Sequence, residues 1–212
     1  KLIAGLSSAQ HFTNIRISFM SRQPAKVLEP DDVRLALAHV RFQRHPYRNR
    51  AIILLSFKAG LRACEIAGLT WPMILATDGR ISIHISVSGS IAKYGSGRQI
   101  PINRTLRTAL LALHKSEGYP DQGPVIRSER GAAMQPGAVV NWFSATYRAL
   151  GMVGCSSHSG RRTFITRAAR LLPKTGGSLR DVQELAGHRS IGTTERYIQG
   201  DRDAQHKLIR LI

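Results

Sequence analysis

The stretch LAGHRSIGTTERY, residues 185–197, sets a histidine and a tyrosine nine residues apart near the end of the chain. A helical pattern over residues 178–186 precedes it, and Gly187 is typical of a helix stop. A serine or threonine inside the stretch can cap a second helix, which we expect to carry the tyrosine. His188 and Tyr197 would then converge on one small ligand, with the tyrosine hydroxyl available as a covalent nucleophile. Alone, this stretch is a weak indication of catalysis.

The charge balance of the chain is its strongest compositional signal. The 212 residues include 31 Lys and Arg but 13 Asp and Glu, a formal net charge of +18. Such a charge opposes compaction, and a polyanionic partner is its natural explanation, most commonly nucleic acid. A ribosome-type protein and a membrane-surface binder are the alternatives. The predominance of arginine over lysine favours bidentate phosphate contacts.

The cysteines and the apolar runs exclude several classes of protein. Cys64 and Cys155 stand in unrelated contexts without metal-ligand spacing, so we expect free thiols, no metal and no cofactor. The longest apolar run, residues 51–57, is too short to cross a bilayer. We therefore expect a cytoplasmic, nucleoid-associated protein with no membrane partner. The chain begins at Lys1 rather than at a methionine, which is compatible with residues missing upstream.

The periodicity predicts a mainly helical fold with a small antiparallel sheet of about three strands. The predicted strands cover residues 71–75, 80–87 and 99–102. The predicted helices begin near residues 30, 48, 62, 104, 136, 159, 178 and 193, and the helix from 159 is expected to break at Pro173. We assign residues 1–27 to an arm or linker remnant, 28–200 to the main domain, and 201–212 to a helical tail.

Three further motifs carry charge in positions suited to chemistry. Residues 60–65, GLRACE, put Arg62 and Glu65 on one helix face. Lys93 lies in a glycine-rich hairpin tip. Residues 158–162, HSGRR, open a helix, where backbone N–H groups favour anions. Each has an ordinary alternative: a surface ion pair, a solvated loop lysine, and a polar helix start in a basic protein.

Taken together, these motifs supply what in-line displacement at a phosphodiester requires. Two arginines can clamp the nonbridging oxygens and offset the charge that develops there. A tyrosine can attack the phosphorus, a histidine can take its proton, and a lysine can protonate the leaving 5′-oxygen.

The chain resembles the catalytic domain of tyrosine recombinases, the phage integrase family, over about residues 28–200. The matching residues, in chain order, are Arg62 with Glu65 in Gly-Leu-Arg-x-x-Glu, Lys93 in the hairpin, His158 and Arg161 in His-x-x-Arg, His188 after a glycine, and Tyr197. The sequence departs from the family pattern where Gly160 replaces a leucine, Arg162 a histidine and Ala186 a leucine. Residues 1–27 are too few to be the family's separate core-binding domain.

The resemblance implies a site-specific DNA recombinase that works through a 3′-phosphotyrosine link without metal or ATP. It implies that Tyr197 is the nucleophile, Lys93 the general acid and His158 the base. Arg62 and Arg161 would hold the phosphate. The remaining implied roles are His188 as a hydrogen-bond donor to the phosphate, Glu65 as an orienting residue, and Arg98, Arg162, Arg189 and Arg196 as DNA-binding residues.

The resemblance also implies assembly on double-stranded DNA. Four protomers would act on two DNA sites, with a monomer as the form without DNA and DNA-bending proteins as accessory factors. The tail after Tyr197 would either dock on a neighbouring protomer or pack on its own. The rival interpretations are a type IB topoisomerase or telomere resolvase, a non-catalytic DNA-binding regulator on the same fold, and an RNA-binding protein, which the low aromatic content of 6% disfavours.

Overall fold

The computed structural model describes residues 24–197 and 209–210. Most of this part of the chain is helical. The α-helices are α1 (Pro30–Val40), α2 (Pro46–Lys58), α3 (Ala63–Gly68), α4 (Arg104–Ser116), α5 (Pro136–Ala149), α6 (Ser159–Thr175), α7 (Leu179–Ala186) and α8 (Ile191–Glu195), with short 3₁₀ turns at Trp71–Met73 and Lys93–Gly95.

Helix α2 forms the centre of the core. Its residues Ile52, Ile53, Leu54 and Leu55 are fully buried on all sides, because α2 packs against α1, α3, α4 and α6. Burying each such side chain stabilises the fold by roughly 1.5–3 kcal/mol. The predicted buried helix is therefore confirmed, and it gives the functional elements a rigid support.

The small antiparallel sheet has two strands in the described part of the chain, β1 (His84–Val87) and β2 (Arg98–Pro101). Ile85 pairs with Ile100, and both side chains face the core. The predicted third strand is wrong: residues 71–73 form a 3₁₀ turn around the buried Trp71, and only a single bridge joins Leu75 to Ile81. Pro72 has no backbone N–H that could donate to a neighbouring strand, which favours the turn.

The structure corrects two predictions, one about the end of α6 and one about the end of α8. Helix α6 continues through Pro173 to Thr175, and Gly176 ends it in the left-handed conformation at φ 68°. Since Pro173 lies in the last turn, it does not break the helix. Helix α8 follows Ser190 and ends at Glu195, so Tyr197 lies in the turn after it rather than on it.

The chain before α1 is attached to the main body where the structure describes it. The Lys26 amide donates to the Gly154 carbonyl at 3.1 Å, and the Leu28 amide donates to the Thr163 hydroxyl at 2.9 Å. Residues 1–23 of the predicted arm and most of the predicted tail lie outside the described residues. The domain limits therefore stay a prediction.

Candidate active site

A buried carboxylate organises the centre of the site. Glu65, on α3, has a fully buried side chain. Its two oxygens accept hydrogen bonds from the Arg62 side chain and amide at 2.9 Å, and from both terminal nitrogens of Arg98 at 2.9 and 3.0 Å. Burial alone would raise the pKa of Glu65, but the bonds and charges of Arg98 and Arg62 outweigh it and lower that pKa. Glu65 is therefore an anion that fixes two guanidinium groups.

Arg161 lies beside this cluster at the start of α6. Its terminal nitrogens donate to the Gly60 carbonyl at 2.7 Å and to the Ala186 carbonyl at 2.6 Å. Burial, followed by the positive charge of Arg62, lowers the pKa of Arg161 to about 10, which leaves it protonated at neutral pH. The side chain is only 3% exposed, so its orientation is set by protein contacts before any ligand binds.

Gly160 lets the start of α6 approach α2 closely. A Cβ atom at this position would collide with the side chain of Ser56 on α2 and would crowd Phe57. Glycine at position 160, where the family pattern has leucine, is therefore explained by the lack of space for a side chain against α2. The close approach sets the position of the neighbouring Arg161 relative to the core.

His158 precedes α6 and lies at the edge of the cleft. Burial, then the charges of Arg161, Arg62 and Lys93, lower its pKa below the ordinary 6.5. His158 is therefore neutral at pH 7 and able to accept a proton. Lys93 begins the turn Lys93–Gly95, five residues before Arg98, and its charge is one of the causes that lower this pKa.

His188 follows the left-handed Gly187 at the end of α7 and is 9% exposed. Its Nδ1 lies 2.9 Å from the hydroxyl of the fully buried Thr194. Burial, and then the charges of three nearby arginines, lower the pKa of His188 to about 4. The imidazole is therefore neutral at pH 7, and when Thr194 donates to Nδ1 the proton of the ring sits on Nε2.

Tyr197 packs against the side chains of His188 and Arg162. Its ring stacks on His188 with 5.6 Å between centroids and an interplanar angle of 23°. The guanidinium of Arg162 lies over the same ring at 5.6 Å from its centroid. These stacking and cation–π contacts orient the ring of Tyr197.

One open cleft of about 640 Å³ joins three of the six predicted catalytic residues, namely His158, Arg161 and Tyr197. Its polar lining is formed by Ser156, Ser157, His158, Arg161, Arg162 and Tyr197. Arg62 lies two residues after Gly60, whose carbonyl accepts from Arg161, and His188 stacks on Tyr197. The structure thus brings five of the six predicted catalytic residues together, although Arg62 and Arg161 are almost one hundred residues apart in the chain.

The four arginines predicted to bind DNA occupy different environments. Arg162 is half-buried beside Tyr197, and Arg189 and Arg196 are exposed. Arg98 is 6% exposed, and it donates to Glu65 and to the Leu185 carbonyl. Contact between Arg98 and DNA is therefore not expected from this geometry.

Two residues of the site were missed by sequence reasoning. The Thr194 hydroxyl contacts the His188 ring, and the side-chain amide of Gln183 donates to the His188 backbone carbonyl at 2.9 Å. Of the paired threonines between His188 and Tyr197, the sequence indicated only Thr193, with Ser190, as a candidate helix cap. Their spacing gave no sign that one hydroxyl would reach back to the histidine.

Two observations describe what the structured part lacks. Within residues 24–197 and 209–210, no three His, Cys, Asp or Glu side chains come together where a metal ion could bind. Over the same residues, no helix has the length and apolar character needed to cross a membrane. Cys64 and Cys155 are free cysteines, as predicted.

Comparison with known proteins places the chain among integrases. The sequence model of the phage integrase family matches residues 26–203. The tyrosine recombinase XerC of Rickettsia typhi is 28% identical over 221 residues, covering 92% of this chain and 67% of the relative. XerC of Rickettsia bellii is 31% identical over 183 residues, covering 81% of this chain and 55% of the relative.

Solved structures show the same fold. The Tn1549 transposon integrase in complex with transposon right end DNA has a TM-score of 0.69 at 20% identity, covering 90% of this chain and 67% of that one. The XerA recombinase has a TM-score of 0.68 at 19% identity, and the match covers 91% of this chain and 64% of the XerA chain. The chain thus spans about two thirds or less of the length of the proteins it matches here.

Proposed function

Because the chain belongs to the phage integrase family, its function is site-specific DNA recombination of the tyrosine type, and we propose that the cluster around Glu65 and Tyr197 is its catalytic centre. The observation that carries this proposal is the convergence of Arg161, His158 and Tyr197 on one cleft. A tyrosine, a neutral histidine and a fixed guanidinium are the groups that phosphoryl transfer to a protein hydroxyl requires.

In the proposed reaction, the Tyr197 hydroxyl oxygen attacks the scissile phosphorus. The new bond is a 3′-phosphotyrosine, and the bond that breaks joins phosphorus to the 5′-oxygen of the next nucleotide. His158 takes the tyrosine proton, and Lys93 gives a proton to the leaving 5′-oxygen. Attack by a 5′-hydroxyl on the phosphotyrosine reverses these steps and rejoins the strand, so the energy of the phosphodiester is retained without ATP.

The arginines stabilise the charge that develops in the transition state. Arg62 and Arg161 would each place a guanidinium beside the nonbridging oxygens. Since protein contacts already orient both side chains, little reorganisation is needed when the phosphate arrives. Glu65 does no chemistry in this proposal and orients Arg62.

His188 would donate a hydrogen bond to the phosphate from Nε2. Its pKa of about 4 makes it a neutral donor at physiological pH. The Thr194 contact supports this role because it can occupy Nδ1 and leave the proton on the opposite nitrogen.

The net charge of +18 supports binding to the backbone of double-stranded DNA. Arg162, Arg189 and Arg196 are the proposed contacts near the site. The Tn1549 integrase and lambda integrase structures contain DNA, which is in keeping with this partner. We further propose a tetramer on paired sites, accessory DNA-bending proteins, and a place at the nucleoid.

The test is capture of covalent DNA adducts. The protein is mixed with sheared genomic DNA of its host and denatured, and the DNA that remains attached is sequenced. Tyr197→Phe should bind DNA and form no adduct. Tyr119→Phe is the matched control, because Tyr119 is 63% exposed and lies outside the cleft; it should react as the unmodified protein does.

The outcomes separate the assignments. Adducts at one sequence that vanish in Tyr197→Phe would support both the chemistry and the nucleophile. Adducts that persist in Tyr197→Phe would show that another residue attacks. Adducts scattered over many sequences would contradict site specificity, and tight binding without adducts would contradict cleavage by this chain.

A further inference from the structure

We propose that Arg98 is a positioning residue that couples His188 to the Arg62–Glu65 pair. This inference rests on the proposed function, since it concerns how that catalytic centre is assembled. It replaces the role in DNA binding that the sequence indicated for Arg98. Its basis is that a single guanidinium joins the Glu65 carboxylate to the Leu185 carbonyl, while the same side chain lies close to Gly187.

The first contact is with Glu65. Both terminal nitrogens of Arg98 donate to the carboxylate, at 2.9 and 3.0 Å. The same carboxylate oxygens accept from the side chain and amide of Arg62. A bidentate fork of this kind fixes the direction of the guanidinium as well as its distance. Arg98 and Arg62 thus both donate to one carboxylate, which fixes their positions relative to each other.

The second contact is with the end of α7. The Nε of Arg98 donates to the Leu185 carbonyl at 2.9 Å, and that carbonyl belongs to the last turn of the helix, which is otherwise short of donors. Gly187 follows at φ 62°, where an added Cβ would lie 3.0 Å from Cδ and Nη1 of Arg98. The side chain therefore rests directly against the residue before His188.

A second arginine holds the adjacent carbonyl. Arg161 donates to Ala186 at 2.6 Å, so consecutive carbonyls at the end of α7 are held from β2 and from α6. Two cations at a helix C-terminus are also favoured by the helix dipole. Only Gly187 separates the anchored Ala186 from His188, so a shift of α7 would move the imidazole by a similar distance.

The place of Arg98 outside the cleft argues for this role rather than for contact with DNA, because Arg161 is equally buried but lines the cleft beside His158 and Tyr197. The side chain of Arg98 is 6% exposed, and each of its three nitrogens donates to a protein acceptor. Arg98 is also the first residue of β2, five residues after Lys93. The same contacts thus fix the base of the turn that carries the proposed general acid.

The test compares Arg98→Lys with the unmodified protein. Lysine keeps a positive charge beside Glu65, but a single ammonium on a linear chain cannot donate a fork to the carboxylate and also reach Leu185. The matched control is Arg180→Ala on α7, which removes one charge from an exposed ion pair with Glu184. Folding is checked by circular dichroism and thermal unfolding, and DNA affinity by titration.

The decisive readout is the single-turnover rate of adduct formation on a captured DNA site at saturating protein. Arg98→Lys should lower this rate by about 100-fold, the scale of a 1 Å misplacement, with DNA affinity no weaker than in Arg180→Ala. In a His188→Ala background the same change should cost clearly less, because one of the groups that Arg98 positions is already missing.

An equal loss in both backgrounds, or an unchanged rate in Arg98→Lys, would overturn the inference. So would a loss confined to DNA affinity, which would restore Arg98 as a DNA contact. Absence of adducts in the unmodified protein would instead count against the proposed function. That result is distinguishable because it appears before any variant is compared.

Discussion

Replacement of Glu65 by glutamine tests whether one buried anion organises the arginines of the site. Glutamine has nearly the same shape as glutamate, so packing is preserved while the negative charge is lost. Its carbonyl oxygen can still accept hydrogen bonds, but its NH₂ group must face guanidinium donors. The cluster of Arg62, Arg98 and Arg161 then has no compensating anion within it.

The structure sets the magnitude of this effect. The Glu65 carboxylate accepts four hydrogen bonds, and its side chain is fully buried. Removing one partner of a buried ion pair costs about 3–5 kcal/mol. Whole domains are stable by only about 5–15 kcal/mol, so the variant should remain folded with a much lower free energy of unfolding.

The assay is equilibrium urea unfolding followed by the fluorescence of Trp71 and Trp142. The control is Glu184→Gln, because Glu184 pairs with Arg180 while both side chains are 68% exposed; its loss should stay below about 1 kcal/mol. Sulfate should stabilise Glu65→Gln more than the unmodified protein, since an anion can bind the uncompensated arginines. A loss in Glu65→Gln no larger than in the control would refute the reasoning.

Two further predictions concern the neighbouring residues. Arg161→Ala should slow covalent adduct formation by about 10²–10³-fold, the cost of losing one preorganised donor; near-normal single-turnover rates in a folded variant would contradict the clamp role. For His188, the pKa is about 4 in the folded protein against an ordinary 6.5, so the unfolded chain binds the extra proton and stability should fall as the pH drops from about 6.5 to about 4. Above pH 6.5 His188 is neutral in both states, so it should add no further dependence of stability on pH. Urea unfolding at several pH values should give a shallower slope for His188→Gln, and equal slopes would count against the shifted pKa.

Local signals in the sequence predicted most helices and the order of the site residues. Pro136 opens α5, Ser178 caps α7 through Asp181, and Gly187 ends α7 in the left-handed conformation. Such signals act over a few residues, so they do not depend on how the rest of the chain packs. The prediction of a third strand was wrong because Pro72 favours a turn and Trp71 is buried against a distant residue, His114.

The sequence by itself determined the chemical groups: the tyrosine, the histidines and the arginines, in an order that indicates the family. Only the tertiary structure decided how those groups are held. Arg98 meets Leu185 across 87 residues, and Arg161 meets Gly60 across 101. Contacts of that separation depend on how α3, β2, α6 and α7 pack around the core, and local propensity carries no information about them. For the same reason the sequence shows that residue 98 is a basic arginine, whereas only the tertiary structure shows that its side chain is buried and bonded to Glu65 and Leu185.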